Sequence, residues 1–404
     1  MVFLKTFRFC KGFQSIIYPD SYRILWNIYD LLKITESDFF KLGEIMKRFN
    51  KLMSLSALLF AMGLASCTPP AGSSSQPAGT SEPEVDELAV NVFVLSGQSN
   101  MEGNTSFKSG STDYIAQAFE EMGLTDPEIL TETGVESVQT SLYCAGYGQL
   151  NHNNLDGNTQ VNATNTTERF KGKFLPTKTG MGLNSSKMGP ELGMAYALKD
   201  EATAEKPIYF IKMASGGSGF EQSGTDYNWP VKDENGNIPE INMYSTFCKP
   251  FIENNLKLIE DEGWHPVIKG WLWHQGESDS ATEKIAKYKK RLGDMVEMFR
   301  TDFAEYAKDQ DGENIAFVDG MIYQGSGTAW GAQTSKDMNA VKQEFADSAD
   351  NNYIVDIYAN EEPTAENELK PGNPGGDNMH YNVKSSLRLG MAYGKVILDN
   401  NLLD

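Results

Sequence analysis

Residues 88–101 read Leu-Ala-Val-Asn-Val-Phe-Val-Leu-Ser-Gly-Gln-Ser-Asn-Met. Leu88 to Ser96 is rich in β-branched and aromatic side chains and predicts a strand. Working outward, Glu191 to Asp200 follows Gly189-Pro190 and predicts a helix that begins behind a proline. Pro207 to Met213 is an almost wholly apolar run, as expected of a strand covered on both faces. Met243 to Glu262 has helical spacing, Val267 to Trp273 predicts a third strand, and Ala281 to Phe303 a long charged amphipathic helix. Ile315 to Asp319 and Tyr353 to Ile357 predict two short strands, separated by a helix around Thr334 to Ala346. A last helix is expected over Val383 to Asp399. Strand alternating with helix implies parallel pairing, and right-handed crossovers then place helices on both faces. The expected fold is a three-layer α/β/α sandwich with a mostly parallel central sheet and its site at the carboxyl ends of the strands. Residues 105–187 are polar, rich in Gly, Asn and Thr, and without a strong period; they read as a long irregular insertion walling that site.

The amino-terminal region sets the domain plan. Lys47, Arg48 and Lys51 precede the apolar stretch Leu52 to Leu64, which is too short to span a bilayer as a mature helix. This is the layout of a secretory signal, over residues 46–66. Leu64-Ala65-Ser66-Cys67 resembles a bacterial lipobox, in which the thiol is lipidated and becomes the first residue of the mature chain. A lipid anchor on Cys67 would place the protein at the bacterial cell envelope, touching the membrane through that anchor alone. Residues 1–45 fit neither part of this scheme; an over-long start and a real cytoplasmic extension are both open. Residues 67–87 are rich in Pro, Ser, Gly and Ala, then acidic, and read as a flexible tether. Residues 88–404 suit one large α/β domain.

The chain carries a formal charge of −20. Its first 66 residues hold nine Lys and Arg against five Asp and Glu, so the remainder is more negative still. Such a surface repels phosphate backbones, which excludes nucleic acid as a natural partner, and it suits a neutral ligand such as a sugar. Cys144 and Cys248 could pair in an oxidising compartment or stay as two buried thiols. Neither has His or Cys at metal-ligand spacing, so no structural zinc site is expected.

Candidate chemistry falls at the predicted strand ends. A strand turning sharply through Gly97 would present Ser99 above the sheet edge, and a helix starting there would aim free N–H groups at whatever binds it. A serine hydroxyl needs a base to act as a nucleophile. Of four histidines, His152 lies in an Asn-rich loop, His265 beside Pro266, and His274 has no carboxylate close by on its amino-terminal side. His380, in Asp377-Asn378-Met379-His380, is the best candidate. In a tight turn the Asp377 carboxylate could reach its Nδ1 hydrogen and leave Nε2 free to accept a proton. The competing reading is a helix cap by Asp377 beside a surface histidine. Gly216-Gly217 ends the second strand and Gln275-Gly276-Glu277 the third; Gln275 can donate an amide hydrogen toward a developing oxyanion, as can the backbone N–H groups of Ser99 and Gly217. Gln98, Glu277, Tyr227 and Trp229 are candidates for substrate contact, with Tyr323 and Trp330 as further aromatic faces for sugar rings. Glu277 equally suits tying loops together.

Gly-Gln-Ser-Asn-Met after the first strand, Gly-Gly after the second, Gln-Gly-Glu-Ser-Asp after the third and Asp-x-x-His before the last helix, together with Gly189-Pro190-Glu191, resemble the SGNH hydrolases. Within them the pattern is similar to the sialate O-acetylesterase and acetylxylan esterase branch of carbohydrate esterases. The resemblance covers residues 90–400 in order, apart from the insertion. It implies a flavodoxin-like sandwich, Ser99 as nucleophile, His380 as general base and Asp377 as its orienting partner. It also implies an oxyanion hole of Ser99, Gly217 and Gln275, an acetylated xylan or other glycan, or an acetylated sialic acid, as substrate, and no metal or cofactor. The rival readings are a non-catalytic glycan-binding lipoprotein and an SGNH lipase or thioesterase.

Overall fold

The computed structural model describes residues 88–144, 172–221, 228–325, 331–357, 371–373 and 377–404, with backbone alone for 144, 371–373, 377 and 378. Cys67, Tyr227, Trp330 and His152 lie outside the described residues. The elements in chain order begin with β1 (Ala89–Gly97), a short α1 (Ser99–Glu102), β2 (Thr105–Ser106), β3 (Lys108–Ser109), β4 (Thr112–Asp113) and α2 (Tyr114–Met122). There follow β5 (Val135–Cys144), β6 (Leu175–Thr177), β7 (Lys187–Met188), α3 (Glu191–Leu198) and β8 (Ile208–Ala214). The carboxyl-terminal half adds α4 (Lys249–Asp261), β9 (His265–His274), α5 (Thr282–Asp302), β10 (Ala316–Gly320), α6 (Ala332–Ala346), β11 (Asn352–Val355), β12 (Pro371–Asn373), β13 (Asp377–Tyr381) and α7 (Val383–Asp399).

Among the described residues, seven strands form one sheet in the order β11-β10-β9-β1-β8-β5-β6. All neighbours pair in parallel except β6, which runs antiparallel to β5. Alternation along β1 explains the layers: Val90, Val92 and Val94 join one core cluster, Phe93 and Leu95 the other. On the first face lie α4, α5 and α6, through Phe251, Ile252 and Leu256, through Leu292, Val296 and Phe299, and through Met338 and Phe345. On the second lie α2, α3 and α7, through Phe119, Leu192 and Leu387. The expected α/β/α sandwich is the architecture of the molecule. Gly193 of α3 and Gly390 of α7 let two helix backbones meet, since a methyl group on Gly193 would stand 2.1 Å from Leu387 O.

Two expectations need correction. The stretch read as an irregular insertion supplies β5 and β6 to the central sheet, and β5 is an inner strand. Its polar residues hid it. Thr140 and Thr177 are buried with their hydroxyls 2.7 Å apart, Thr177 also donates to Val138 O at 2.7 Å, and Ser141 accepts from Lys173 N at 2.9 Å. Buried hydroxyls satisfied in this way are compatible with a core that composition alone assigns to the surface. Likewise, Asp377 to His380 is an extended strand rather than the tight turn from which the Asp377 carboxylate was expected to reach His380 Nδ1, so that role rests on the resemblance alone. It pairs antiparallel with β12, and the register slips between Pro371 and Asn373, so the strand bulges.

Position in the sheet makes the site. Strand β1 sits centrally, with β8 on one side and β9 on the other, so the connection from β8 to β9 crosses it. The carboxyl ends are level: Gly97 pairs with Ala214 of β8 and with His274 of β9. Ligand sites of open α/β sheets lie at such a crossing.

Candidate active site

Gly97 turns the chain out of the sheet. Its φ of +143° suits glycine, and a Cβ there would lie 2.1 Å from His274 O. The turn is tied to both neighbouring strands, with Gln98 N–H donating to His274 O at 3.0 Å and Ser215 N–H to Gly97 O at 3.0 Å. Gln98 then stands in extended geometry at the N-cap, and Ser99, half-buried, is the first residue of α1.

Asn100 joins Ser99 to the other candidate residues. Its Oδ1 accepts from Tyr381 N–H at 3.2 Å, and its Nδ2 donates to Glu277 Oε1 at 2.8 Å and reaches Met379 O at 3.5 Å. The carbonyl before His380 and the N–H after it thus meet one carboxamide, as a strand edge meets the peptide group of a neighbouring strand. Thr105 Oγ1 adds a bond to Tyr381 O at 2.8 Å. Ser99 and His380 are each one residue away from groups joined by this amide. His380 is half-buried. The side chain of Asp377 lies outside the described set.

The loop after β8 closes the other side. Gly216 lies against α1: a methyl group there would stand 3.5 Å from Ser99 Cβ and 2.9 Å from Glu102 Oε2. Gly217 follows with φ +73°, and Ser218 N–H closes the turn onto Ser215 O at 3.2 Å. Glu102 accepts from Gly216 N–H at 3.0 Å, and burial pushes its carboxyl up to about 7 against Asn104, Lys212 and Gly216.

The loop after β9 is braced from beneath. Gln98 Oε1 accepts from Ser278 N–H at 3.1 Å. Gln275 is fully buried, and its Nε2 donates to Asp279 Oδ2 at 2.8 Å and to Ser218 O at 3.3 Å. Its Oε1 accepts from Tyr288 at 2.9 Å, while its carbonyl accepts from Lys342 Nζ. Lys342 pairs with Asp319 at 2.7 Å, both buried, and burial raises the Asp319 carboxyl to about 7 against that lysine. The Gln275 amide therefore spends its hydrogens inside the protein, tying the β8 and β9 loops together, which corrects the expectation that it faces an oxyanion. Glu277 is buried, its carboxyl raised by burial against the Asn100 bond and the charges of Lys342 and His380. It ties loops, and the substrate contact considered for it, as for buried Gln98, is not what the geometry shows. His274 is fully buried, its Nε2 3.1 Å from Tyr381 Oη and 3.9 Å from Glu277 Oε1; burial and Lys342 hold its basicity well below the ordinary histidine value.

The aromatic candidates are corrected too. Trp229 is 1 % exposed, edge-on to Trp273 at 4.7 Å, with Nε1 donating to Ser218 Oγ at 2.9 Å. It belongs to the core and offers no face to a sugar. Tyr323 is also buried. Cys248 is a free buried thiol beside Ser96 Oγ at 3.7 Å, and burial pushes it up to about 12; the side chain of Cys144, the partner considered for it, lies outside the described set. Among the described residues no group of three or more His, Cys, Asp or Glu is arranged to hold a metal ion, and no helix is long and apolar enough to cross a membrane.

Asn100, Glu102, Asp279 and the Lys342–Asp319 pair were given no role by sequence reasoning. Asn100, directly after the candidate serine, and Asp279, the last residue of Gln-Gly-Glu-Ser-Asp, carried a signal that could have found them.

A search of curated protein sequences returns no match. Among solved structures, a protein of Arabidopsis thaliana is similar at 18 % identity and a TM-score of 0.44, over 77 % of this chain and 98 % of that one. NanS is similar at 15 % and 0.45, over 78 % and 99 % of the two chains. A carbohydrate acetylesterase from Xanthomonas citri is similar at 14 % and 0.41, over 77 % and 56 %. The model of one protein family, described as carbohydrate esterase, sialic acid-specific acetylesterase, matches residues 89–399, which span the sheet, both helical layers and every strand-end loop described above. The chain belongs to that family of carbohydrate esterases.

Proposed function

We propose that this protein is a serine esterase that removes O-acetyl groups from carbohydrate through an acyl-enzyme. The observation that carries the reading is the Asn100 carboxamide, which bonds to the peptide groups on both sides of His380 while sitting next to Ser99. Ser99 Oγ attacks the acetyl carbonyl as His380 Nε2 takes its proton, with Asp377 holding the opposite ring nitrogen. The backbone N–H groups of Ser99 and Gly217 receive the charge on the carbonyl oxygen, each such donor contributing about 3 kcal/mol to lowering the barrier. Collapse expels the sugar oxygen, which takes the proton from His380. Water then gives a proton to His380 as it attacks the acyl carbon, and acetate leaves as the proton returns to Ser99 Oγ. Gln275 acts in this scheme as the brace of the oxyanion loop.

The substrate is an acetylated glycan. A chain charge of −20 favours a neutral polysaccharide over an anionic sugar. The lipobox-like Leu64-Ala65-Ser66-Cys67 supports a lipid anchor at the cell envelope, and Cys67→Ser should release the protein from membranes. Ser99→Ala should abolish turnover of an aryl acetate, and of an acetylated polysaccharide panel, while thermal unfolding stays within a few degrees. Turnover retained by that variant would remove the reading.

A further inference from the structure

Glu102 closes the helical turn that Ser99 opens, and it is buried. Its Oε2 accepts from Gly216 N–H at 3.0 Å and from Asn104 Nδ2 at 3.2 Å, and the same Asn104 amide reaches Ser99 O at 3.3 Å. Gly216 lies between this carboxylate and Ser99: a methyl group on it would crowd Glu102 Oε2 at 2.9 Å and touch Ser99 Cβ at an ordinary contact distance of 3.5 Å. The residue after it is Gly217, the second donor assigned to the oxyanion. The four-residue helix of the nucleophile thus also carries the group that holds the oxyanion turn.

We propose that Glu102 is a positioning residue that ties the Gly216–Gly217 turn to the Ser99 helix, and that protonation of its carboxyl slackens this tie and slows acyl transfer; the second half rests on the esterase reading above. An ionised acceptor binds an N–H more strongly than a neutral one. Burial brings the carboxyl to about 7, so its charge changes across neutrality. The charged and titratable groups around it can be named. Lys212 of β8 faces it, itself paired with Glu191 of α3 at 2.7 Å and donating to Met181 O at 2.9 Å. The other elements packed against α1 bring His274 from β9, and Asp377 and His380 from β13; Glu277 reaches α1 through Asn100.

The experiment compares kcat for an aryl acetate in the wild type and in Glu102→Gln from mildly acid to mildly alkaline pH, with Ser99→Ala as the blank. Glutamine keeps an acceptor oxygen for Gly216 but never ionises. The wild-type to variant ratio of kcat should stand near one at the acid end and rise about fivefold across neutrality, with KM little moved. A ratio flat with pH, or falling, overturns the proposal. A second readout needs no turnover: in protein labelled at glycine, the amide signal of Gly216 should titrate with a midpoint near 7 in the wild type and not in Glu102→Gln. A Gly216 signal that does not titrate overturns the proposal whatever the activity. A titrating signal without any Ser99-dependent turnover upholds the tie and strikes the esterase reading alone.

Discussion

Asn100→Ala removes one side chain and with it the bonds that tie the loop after β9 and strand β13 to α1. The carboxamide accepts from Tyr381 N–H at 3.2 Å and donates to Glu277 Oε1 at 2.8 Å, and all three residues are buried. Truncation leaves a peptide N–H and a carboxyl group each short of a partner in a place water does not reach. The neutral loss costs about 1 kcal/mol and the loss at the carboxyl about 2 kcal/mol, so unfolding free energy should fall by about 3 kcal/mol. The kinetic effect is separate. With the bonds from Asn100 to Met379 O and Tyr381 N–H removed, the backbone that carries His380 loses its tie to the residue next to Ser99, and a displacement of about 1 Å costs about 100-fold in rate. Urea denaturation gives the first quantity, and kcat with an aryl acetate gives the second. The loss should appear in kcat far more than in KM, because acetyl-group binding does not use Asn100. A variant that keeps stability within about 0.5 kcal/mol and kcat within about threefold would refute the reasoning, since a bridge carrying the serine–histidine geometry cannot be removed at so small a cost.

Other outcomes follow from the buried charges. The Glu102 carboxyl ionises near 4.5 in the unfolded chain and near 7 in the folded one, so the wild type loses stability as pH rises through that window. Glu102→Gln lacks this loss and should gain about 3 kcal/mol on the wild type between acid and mildly alkaline pH, measured by chemical denaturation at each pH; a constant difference would contradict it. Lys342→Met strips the partner from Asp319, 2.7 Å away and equally buried, and should cost about 3–5 kcal/mol, most of it recovered in Lys342→Met/Asp319→Asn. A double variant no more stable than the single one would show that the pair is not what holds the β9 loop.

Much of the architecture was legible because it rests on periodicity. The runs at Leu88–Ser96, Pro207–Met213 and Val267–Trp273 declare strands, the second of them covered on both faces, and those strands emerged within two residues of their expected ends. β5 was not legible, because Thr140 and Ser141 look like surface residues until Thr177 and Lys173 are brought beside them. The strand at Asp377–Tyr381 was hidden for a different reason: its hairpin partner, Pro371–Asn373, is three residues long and opens on a proline, too short to show a period.

The local chain chemistry of this protein thus settled which residues stand at the carboxyl ends of β1, β8 and β9, since strand propensity and a glycine turn act over a handful of neighbours. Which of those residues face a substrate was decided only by tertiary packing. Gln275 and Trp229 carry the right groups for donation and stacking, yet Asp279, Ser218 and Trp273 claim those groups first. Asn100 and Glu102 passed as ordinary polar residues until folding placed peptide groups of residues 216, 379 and 381 within hydrogen-bonding reach. A hydrogen bond acts over about 3 Å and takes no account of distance along the chain, so its partners become visible only when the sheet has brought them together.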